Sequence, residues 1–271
     1  MRLRVFLILV LSLLIWMAIT YRITRISRQF QKEEDDLIQS VVTFGIPRIF
    51  HQMSKDSNHS QQVVSWRNRC TMLNPDWKFM LWTDASIQEL VKTFFPSYHE
   101  MFKNYDHKMK RVDASRYMIL YRYGGVYIDL DMTCLRPIPP DFFRYPDTFY
   151  TARQVNVENQ PNYSQRCANA FMASKPKNPF LKKLLENLPS RTELHVVDAT
   201  GPAFLTSVID SEKNNSTLKV HEFFKEEIFS VDYVQRQEID RCKSNLTLCE
   251  EVYPGIFFSF WDGSWLPKTS H

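Results

Sequence analysis

Short apolar runs alternate with longer mixed stretches from Gly45 onward, and their order predicts alternating strands and helices. The predicted strands cover residues 46–53, 77–82, 126–130, 168–173 and 228–231. The predicted helices cover residues 60–73, 87–95, 108–123, 179–187 and 202–209. Such alternation favours an α/β fold with a mainly parallel sheet flanked by helices.

Helix-stopping residues lie at the ends of several of these stretches. Asn74-Pro75 ends the first predicted helix, and Pro96 breaks the second. Gly124-Gly125 is a C-cap signal for the long helix before it. Asp84-Ala85-Ser86 has the residue types of an N-cap and places the start of the second helix there.

The N-terminus has a different pattern, with an apolar run over residues 5–21 (VFLILVLSLLIWMAITY). This length is near the lower limit for a transmembrane helix. The apolar region of a cleaved signal peptide is the alternative, but Ala18-Ile19-Thr20 is a poor cleavage site. We expect a cytosolic tail (1–4), a signal anchor (5–21), a polar stem (22–44) and a folded domain (45–271) that carries the function.

N-glycosylation sequons indicate on which side of the membrane the domain lies, since positive charge flanks the apolar run on both sides. The sequence contains five N-x-S/T triplets, which begin at Asn58, Asn162, Asn214, Asn215 and Asn245. Their spread favours a luminal or extracellular domain and hence a short cytosolic N-terminus. The membrane that we expect is that of the Golgi, with the endoplasmic reticulum as the alternative.

Charge and cysteine content indicate which binding partners and which redox compartment to expect. A net charge of +4 is far from the strongly basic footprint of nucleic-acid-binding proteins, so no nucleic-acid partner is expected. Five cysteines suit an oxidising compartment. Cys242 and Cys249 bracket a short polar loop and are predicted to form a disulfide. Cys70, Cys134 and Cys167 leave one odd thiol.

The chemically most informative segment is Gly124-Gly125-Val126-Tyr127-Ile128-Asp129-Leu130-Asp131. The strand period of two places Asp129 and Asp131 on one side. Two adjacent carboxylates repel each other unless a cation neutralises them. Mn²⁺ or Mg²⁺ prefers such oxygen ligands and shares its coordination with substrate phosphates. A solvated acidic turn is the alternative explanation.

A phosphatase is another enzyme class that this segment could indicate. Residues 129–133 (DLDMT) also match the D-x-D-x-T signature of haloacid-dehalogenase-type phosphatases, in which the first Asp is a nucleophile. That family also needs a downstream acidic pair spaced DD or D-x-x-x-D. The seven Asp residues after Asp131 include no such pair, which argues against the phosphatase.

A second candidate pair, Asp113 and Arg116, lies upstream on one face of the long predicted helix. As functional residues they would hydrogen-bond the hydroxyls of a bound sugar. The alternative is an ordinary i,i+3 ion pair, and spacing alone does not decide between the two.

Several motifs occur in an order that resembles glycosyltransferase family 32, which includes fungal inositol-phosphoceramide mannosyltransferases. The matching segments are 46–52 (IPRIFHQ), 81–84 (LWTD), 113–117 (DASRY) and 124–131 (GGVYIDLD), with weaker matches at 169–174 and 200–202. The resemblance implies a GT-A (Rossmann-like) fold, a D-x-D site for Mn²⁺ or Mg²⁺, and retaining chemistry.

The resemblance also implies roles for particular residues. Asp113 and Arg116 would hold the donor sugar. Asp131 would ligate the metal directly, and Asp129 would contact the ribose or the metal. Asn169 would lie near the sugar or the leaving oxygen. The other residues expected at the donor are His51, Trp82, Asp84, Tyr127, Ser264 and Trp265, although a lone histidine such as His51 is more often a packed core residue.

The C-terminal segment departs from the family pattern. Relatives often carry His just before the closing G-S-W segment, where this chain has Ser259 and Phe260. Asp262 is the expected substitute metal ligand, or the metal has one protein ligand fewer. The implied function is transfer of a hexose, with mannose from GDP-mannose as the first expectation, to inositol-phosphoceramide or a glycan. A UDP-sugar-dependent galactosyl- or glucosyltransferase and a non-catalytic sugar-binding protein are the alternatives.

Overall fold

A mixed β-sheet lies at the centre of the computed structural model, which describes residues 14–22, 24–25, 45–153, 166–231 and 235–262. The chain divides into two units, residues 1–43 and 44–271. In the first unit, residues 14–22 are helical. None of the helices within the described ranges combines the length and apolar character needed to cross a membrane. Part of the predicted anchor, residues 5–13, lies outside those ranges.

The second unit contains eight strands among its described residues. They are β1 Ile49–Met53, β2 Lys78–Trp82, β3 Gly125–Ile128, β4 Met132–Cys134, β5 Thr148–Arg153, β6 Cys167–Ser174, β7 Lys219–Phe223 and β8 Phe257–Ser259. Six form the central sheet in the order β2-β1-β3-β6-β5-β7, and β4 pairs with β8 separately. Within the central sheet β6 runs antiparallel to β3 and β5, and the other pairings are parallel. The α/β class is therefore confirmed.

Helices cover both faces of the central sheet. Those described are α1 Gln61–Leu73, α2 Asp84–Phe94, α3 His99–Lys103, α4 Lys108–Tyr123, α5 Pro179–Asn187, α6 Val196–Ala199, α7 Pro202–Glu212, α8 Lys225–Ile228, α9 Arg236–Ser244 and α10 Leu246–Val252, with 3-10 turns at Pro96–Tyr98 and Leu188–Arg191. The strands bury alternate side chains in two hydrophobic clusters, as the period of two requires. Tyr127 and Met172 pack on one face, and Val126 and Phe171 pack on the other.

Local sequence signals account for most helix ends. The hydroxyl of Ser60 caps α1 by accepting from the amide of Val63. Thr83, one residue before the predicted cap, is the N-cap of α2 and exchanges hydrogen bonds with Ser86. The long helix α4 ends at Gly124, as predicted, where φ is 63°. A Cβ atom there would lie 2.6 Å from the ring of Pro176, so only glycine fits.

One predicted strand, residues 228–231, is wrong. Residues up to Ile228 form α8, and Ser230 follows with a φ of 64°. The backbone amide of Phe224 donates to the carboxylate of Glu227 at 2.7 Å and fixes the start of this helix. The apolar side chains of the run are buried nevertheless, because a turn can pack them as well as a strand can. The strands β4, β5, β7 and β8 were not predicted.

Candidate active site at the carboxyl ends of the strands

Asp129 and Asp131 follow β3 directly, at the edge where the carboxyl ends of β1, β2 and β3 meet. The amide of Asp129 donates to the carbonyl of Ala170 at 2.9 Å, and the chain then turns toward β4. The carbonyl of Asp131 accepts from the amide of Phe260 at 2.9 Å. Both carboxylates line one cleft of about 720 Å³. Ligands of open α/β sheets bind at this kind of edge.

Arg116, on α4, connects three groups of the site. Its Nη1 lies 3.0 Å from Oδ1 of Asp129 and donates to the carbonyl of Asn169 at 2.8 Å. Its Nη2 lies 3.5 Å from Oδ1 of Asp113. The guanidinium also packs over the ring of Tyr127, 5.0 Å from its centroid. Arg116 is 5% exposed, so this is a buried network and not a surface ion pair.

Asp113 is buried on the same helix face as Arg116. Its Oδ1 accepts from Nδ2 of Asn169 at 2.9 Å, and its Oδ2 accepts from the hydroxyl of Thr200 at 3.4 Å. Burial raises the pKa of the Asp113 carboxyl to about 6, against the opposing effects of Arg116 and these two hydrogen bonds. The nearby charge of Asp129 raises it further. Asp113 is thus an ionisable group held in the protein interior beside a cleft.

Two further side chains hold Asp129 in place. The hydroxyl of Tyr127 donates to its Oδ1 at 2.8 Å, and Nε2 of Gln52 donates to its backbone carbonyl at 3.3 Å. Tyr127 is 1% exposed but lines the cleft. Its contact in the structure is with Asp129, which makes it a positioning residue for that carboxylate.

Asp131 and Asp262 meet at the rim of the cleft. The backbone amide of Asp262 donates to Oδ2 of Asp131 at 2.8 Å. Burial, followed by the charge of Asp129, raises the pKa of Asp131 to about 6. The carboxylate of Asp262 is exposed, with its Oδ1 3.8 Å from Nζ of Lys243. Asp262 therefore contacts Asp131 through its backbone, a contact that the sequence did not predict.

The carboxylate oxygens at this rim are suitable ligands for a hard divalent cation. Asp131 presents a carboxylate that burial and a neighbouring negative charge destabilise, and a cation would relieve both effects. Among the described residues, however, no group of three or more His, Cys, Asp or Glu side chains is arranged to hold a metal. Two carboxylates and substrate phosphate oxygens are a usual way to bind Mg²⁺-like ions.

His51 lies inside the protein, fully buried, and not in the cleft. Its Nδ1 accepts from Nε1 of Trp82 at 3.1 Å, and its Nε2 is 2.8 Å from the carbonyl of Gly124. Because a carbonyl only accepts, Nε2 carries the proton and the ring is neutral. Burial lowers its pKa to about 4. The expectation that His51 contacts the donor is therefore corrected: it joins β1 and β2 to the end of α4.

The remaining predicted residues are partly accounted for. Trp82 is 7% exposed, and its indole N–H donates a hydrogen bond to His51. Asp84 is exposed and lines the cleft. Ser264 and Trp265 lie outside the described residues. The sequence did not single out Trp66, which lines the cleft and stacks on Phe260 at 4.0 Å between ring centroids. Thr200 had a signal in its Thr-Gly-Pro motif, but no role was assigned to it.

Two disulfides support the region around the carboxylates. Cys70, on α1, is bonded to Cys134, the last residue of β4, and Cys242 is bonded to Cys249, as predicted. Cys167 is the free, buried thiol. The first bond ties α1 to the strand that begins directly after Asp131, so it stabilises the turn that carries that carboxylate.

Comparison with known proteins identifies one family and several relatives. Residues 60–154 match the family described as the glycosyltransferase sugar-binding region containing DXD motif. The chain is 34% identical over 169 residues to mannosyl phosphorylinositol ceramide synthase SUR1 of Saccharomyces cerevisiae, covering 60% of this chain and 41% of that protein. It is 32% identical to inositol phosphoceramide mannosyltransferase 3 of Schizosaccharomyces pombe, covering 63% of this chain and 47% of that protein.

More distant similarities include human alpha-1,4-N-acetylglucosaminyltransferase, which is 30% identical over 97 residues, or 36% of this chain and 24% of that protein. Among solved structures, the PaToxG glycosyltransferase superposes with a TM-score of 0.42 and 16% identity, covering 68% of this chain and 79% of that chain. The chain spans half or less of the length of the fungal relatives named above. The predicted resemblance is confirmed, because residues 60–154 match the glycosyltransferase sugar-binding region containing DXD motif and the fungal relatives are inositol phosphoceramide mannosyltransferases by name.

Proposed function

We propose that the chain is a metal-dependent, retaining glycosyltransferase with a GT-A fold that transfers a hexose from a nucleotide sugar to a glycolipid or glycan. Mannose from GDP-mannose is the first donor to test, and an inositol-phosphoceramide lipid is the first acceptor. The names of the two fungal relatives support this choice. A UDP-sugar is the alternative donor.

The observation that carries the proposal is the buried network of Asp113, Arg116, Asp129 and Asn169 beside the cleft. Burying the carboxylate of Asp113 and the guanidinium of Arg116, with the partly exposed Asp129 beside them, is costly for the fold. Such an arrangement is typical of sites that bind polar ligands, because perturbed ionisable groups concentrate there. A non-catalytic sugar-binding protein could use Asp113 and Arg116 in the same way, so the test must measure bond cleavage.

In this proposal Asp113 and Arg116 hold the donor sugar, and Arg116 also holds the carboxylate of Asp129. Asp113 accepts hydrogen bonds from sugar hydroxyls, in part replacing those that it now receives from Asn169 and Thr200. Arg116 is fixed by three partners and therefore presents its charge without reorganisation. Asp129 and Asp131 would hold Mn²⁺ or Mg²⁺, which supplies Lewis-acid stabilisation of a leaving nucleoside diphosphate. No carboxylate stands out from the sequence as a covalent nucleophile, so we expect attack from the face of the leaving phosphate.

Localisation is part of the same proposal. The apolar run at residues 5–21 and the five sequons support a type II membrane protein whose domain faces the lumen of the Golgi. The endoplasmic reticulum is the alternative compartment.

The test is donor hydrolysis by the purified full-length chain in detergent, with GDP- and UDP-sugars and Mn²⁺. We expect one nucleoside diphosphate to be released, and we expect EDTA and Asp131→Asn to abolish the release. Asp141→Asn is the matched control, because Asp141 is exposed and pairs with Arg144 on a loop. Donor binding without release of any nucleoside diphosphate would favour the sugar-binding protein. Absence of both binding and release would contradict the proposal.

A further inference from the structure

The loop between α7 and β7 contains two overlapping sequons, Asn214-Asn215-Ser216 and Asn215-Ser216-Thr217. Residues 213–217 are all exposed. A glycan is bulky and needs such a surface loop. The two sequons overlap, and the hydrogen bonds of the loop distinguish one asparagine from the other.

The hydrogen bonds of this loop favour Asn215. The hydroxyl of Thr217 donates to Oδ1 of Asn215 at 2.7 Å, and the amide of Thr217 donates to the same oxygen at 3.2 Å. This is an Asx-turn closed by the sequon's own hydroxyl. Both hydrogen bonds are made to the oxygen of the side-chain amide. Neither involves its nitrogen, which is the atom that a glycan is linked to.

The nitrogen of Asn215 is compatible with such a bond. Nδ2 donates to Oε2 of Glu212 at 3.0 Å, and Glu212 is also paired with Lys183 at 2.9 Å. An amide nitrogen carries two hydrogens, and N-linkage removes one of them. The remaining hydrogen is sufficient to keep the bond to Glu212, so the loop can retain its conformation after modification.

The other described sequons use their polar groups for helix capping. The hydroxyl of Ser60, in the sequon of Asn58, accepts from the amide of Val63. The side chain of Asn245 itself accepts from the amide of Leu248 at 3.3 Å and begins α10. The sequon that begins at Asn162 lies outside the described residues.

We propose that Asn215 is N-glycosylated and that Asn214 is not. In the reaction, Nδ2 of Asn215 bonds to the anomeric carbon of an oligosaccharide carried on a polyprenyl diphosphate. The bond from that carbon to the diphosphate oxygen breaks, and the diphosphate leaves with the electron pair. The proton lost by Nδ2 passes to a base of the transferring enzyme. This modification requires residues 45–271 to face the lumen.

The glycan would lie far from the cleft along the strand direction. β7 is parallel to β5, and β5 runs in the same direction as β3, because both are antiparallel to β6. The loop before β7 is therefore at the amino edge of the sheet, whereas Asp129 and Asp131 follow the carboxyl end of β3. Loss of the glycan is expected to leave donor hydrolysis unchanged.

The test expresses the full chain in eukaryotic cells, removes glycans with a peptide N-glycosidase that converts the linked Asn to Asp, and maps the converted position by mass spectrometry. We expect conversion at position 215 in the unmodified sequence and in Asn214→Gln, and its loss in Asn215→Gln and Thr217→Ala. Asn214→Gln is the matched control, because it changes the neighbouring residue and keeps the second sequon. Conversion at position 214, or an unmodified Asn215 in the unmodified sequence, would overturn the proposal.

Discussion

Replacing Asp113 by Asn tests whether the site is maintained at the expense of stability. The pKa of Asp113 is about 6 in the fold against an ordinary value of 3.8, because burial disfavours its charge. At roughly 1.4 kcal/mol per pH unit, that difference corresponds to about 3 kcal/mol of stability lost when Asp113 is ionised in the folded protein. Asn has nearly the same shape and no charge. We therefore expect Asp113→Asn to stabilise the fold at pH 7.5 by up to about 3 kcal/mol.

The hydrogen bonds of Asp113 survive this substitution. The amide oxygen of Asn can accept from Asn169, and its nitrogen can donate to the hydroxyl of Thr200. That hydroxyl also lies 3.4 Å from the carbonyl of Val196 and can donate there instead. The substitution leaves Arg116 paired with Asp129 at 3.0 Å. Stability and function should then change in opposite directions, since the variant loses the charged acceptor for sugar hydroxyls.

The stabilisation expected for Asp113→Asn depends on pH in a direction that follows from the pKa of Asp113. Because the pKa of Asp113 is higher in the folded state than in the unfolded state, the folded state binds more protons between pH 3.8 and about 6. The loss of stability caused by the ionised Asp113 is complete above pH 6, decreases as the pH falls through this window, and is absent below pH 3.8. The advantage of Asp113→Asn should therefore decrease between pH 6 and pH 4 and vanish below it.

The assay is urea unfolding followed by tryptophan fluorescence at several pH values, together with donor hydrolysis at pH 7.5. Asp141→Asn is the control, with no change expected in either measurement, because that carboxylate is exposed. If Asp113→Asn destabilised the protein at pH 7.5, or if its effect did not depend on pH, the assignment of a buried, ionised carboxyl at this position would be wrong.

Three further changes probe the surroundings of the site. Replacing Cys70 and Cys134 by Ser should lower the free energy of unfolding by about 4 kcal/mol in urea, because the bond closes a 64-residue separation. His51 should stay neutral down to about pH 4 in ¹⁵N NMR, with its proton on Nε2. Stability contributed by the neutral ring is then lost as the pH falls from 6.5 through 4. Arg116→Met leaves the buried carboxylate of Asp113 and the partly exposed carboxylate of Asp129 without their guanidinium partner, and it should destabilise the fold by about 3 kcal/mol while abolishing donor hydrolysis.

Each of these changes has its own control or contrary outcome. Replacing Cys242 and Cys249, which close a separation of only 7 residues, should lower the free energy of unfolding by about 2 kcal/mol. Equal losses for the two pairs would contradict the loop-length argument. A ring of His51 that titrates near pH 6.5 would contradict its burial between Trp82 and Gly124. A stable Arg116→Met variant would show that the two carboxylates do not need this guanidinium.

The sequence by itself determined the elements whose signals are local. The apolar run before Asp129, the Gly-Gly stop at Gly124 and the order of strands and helices all follow from neighbouring residues. The D-x-D carboxylates, the Cys242–Cys249 bond and the resemblance to sugar transferases could be predicted for the same reason, since each depends on short spacings. The apolar run at 228–231 shows the limit, because a buried turn and a buried strand have the same composition.

Only the tertiary structure decided which residues meet across long separations. Arg116 contacts both Asp129 and Asn169. Asn169 lies 53 residues after Arg116 in the chain, and no local pattern predicts that contact. His51 became an internal residue because Trp82 and the carbonyl of Gly124 occupy both ring nitrogens. Cys70 pairs with Cys134 only because α1 packs beside β4. These contacts depend on the burial and geometry of the whole fold, and they set the charges and hydrogen bonds of the site.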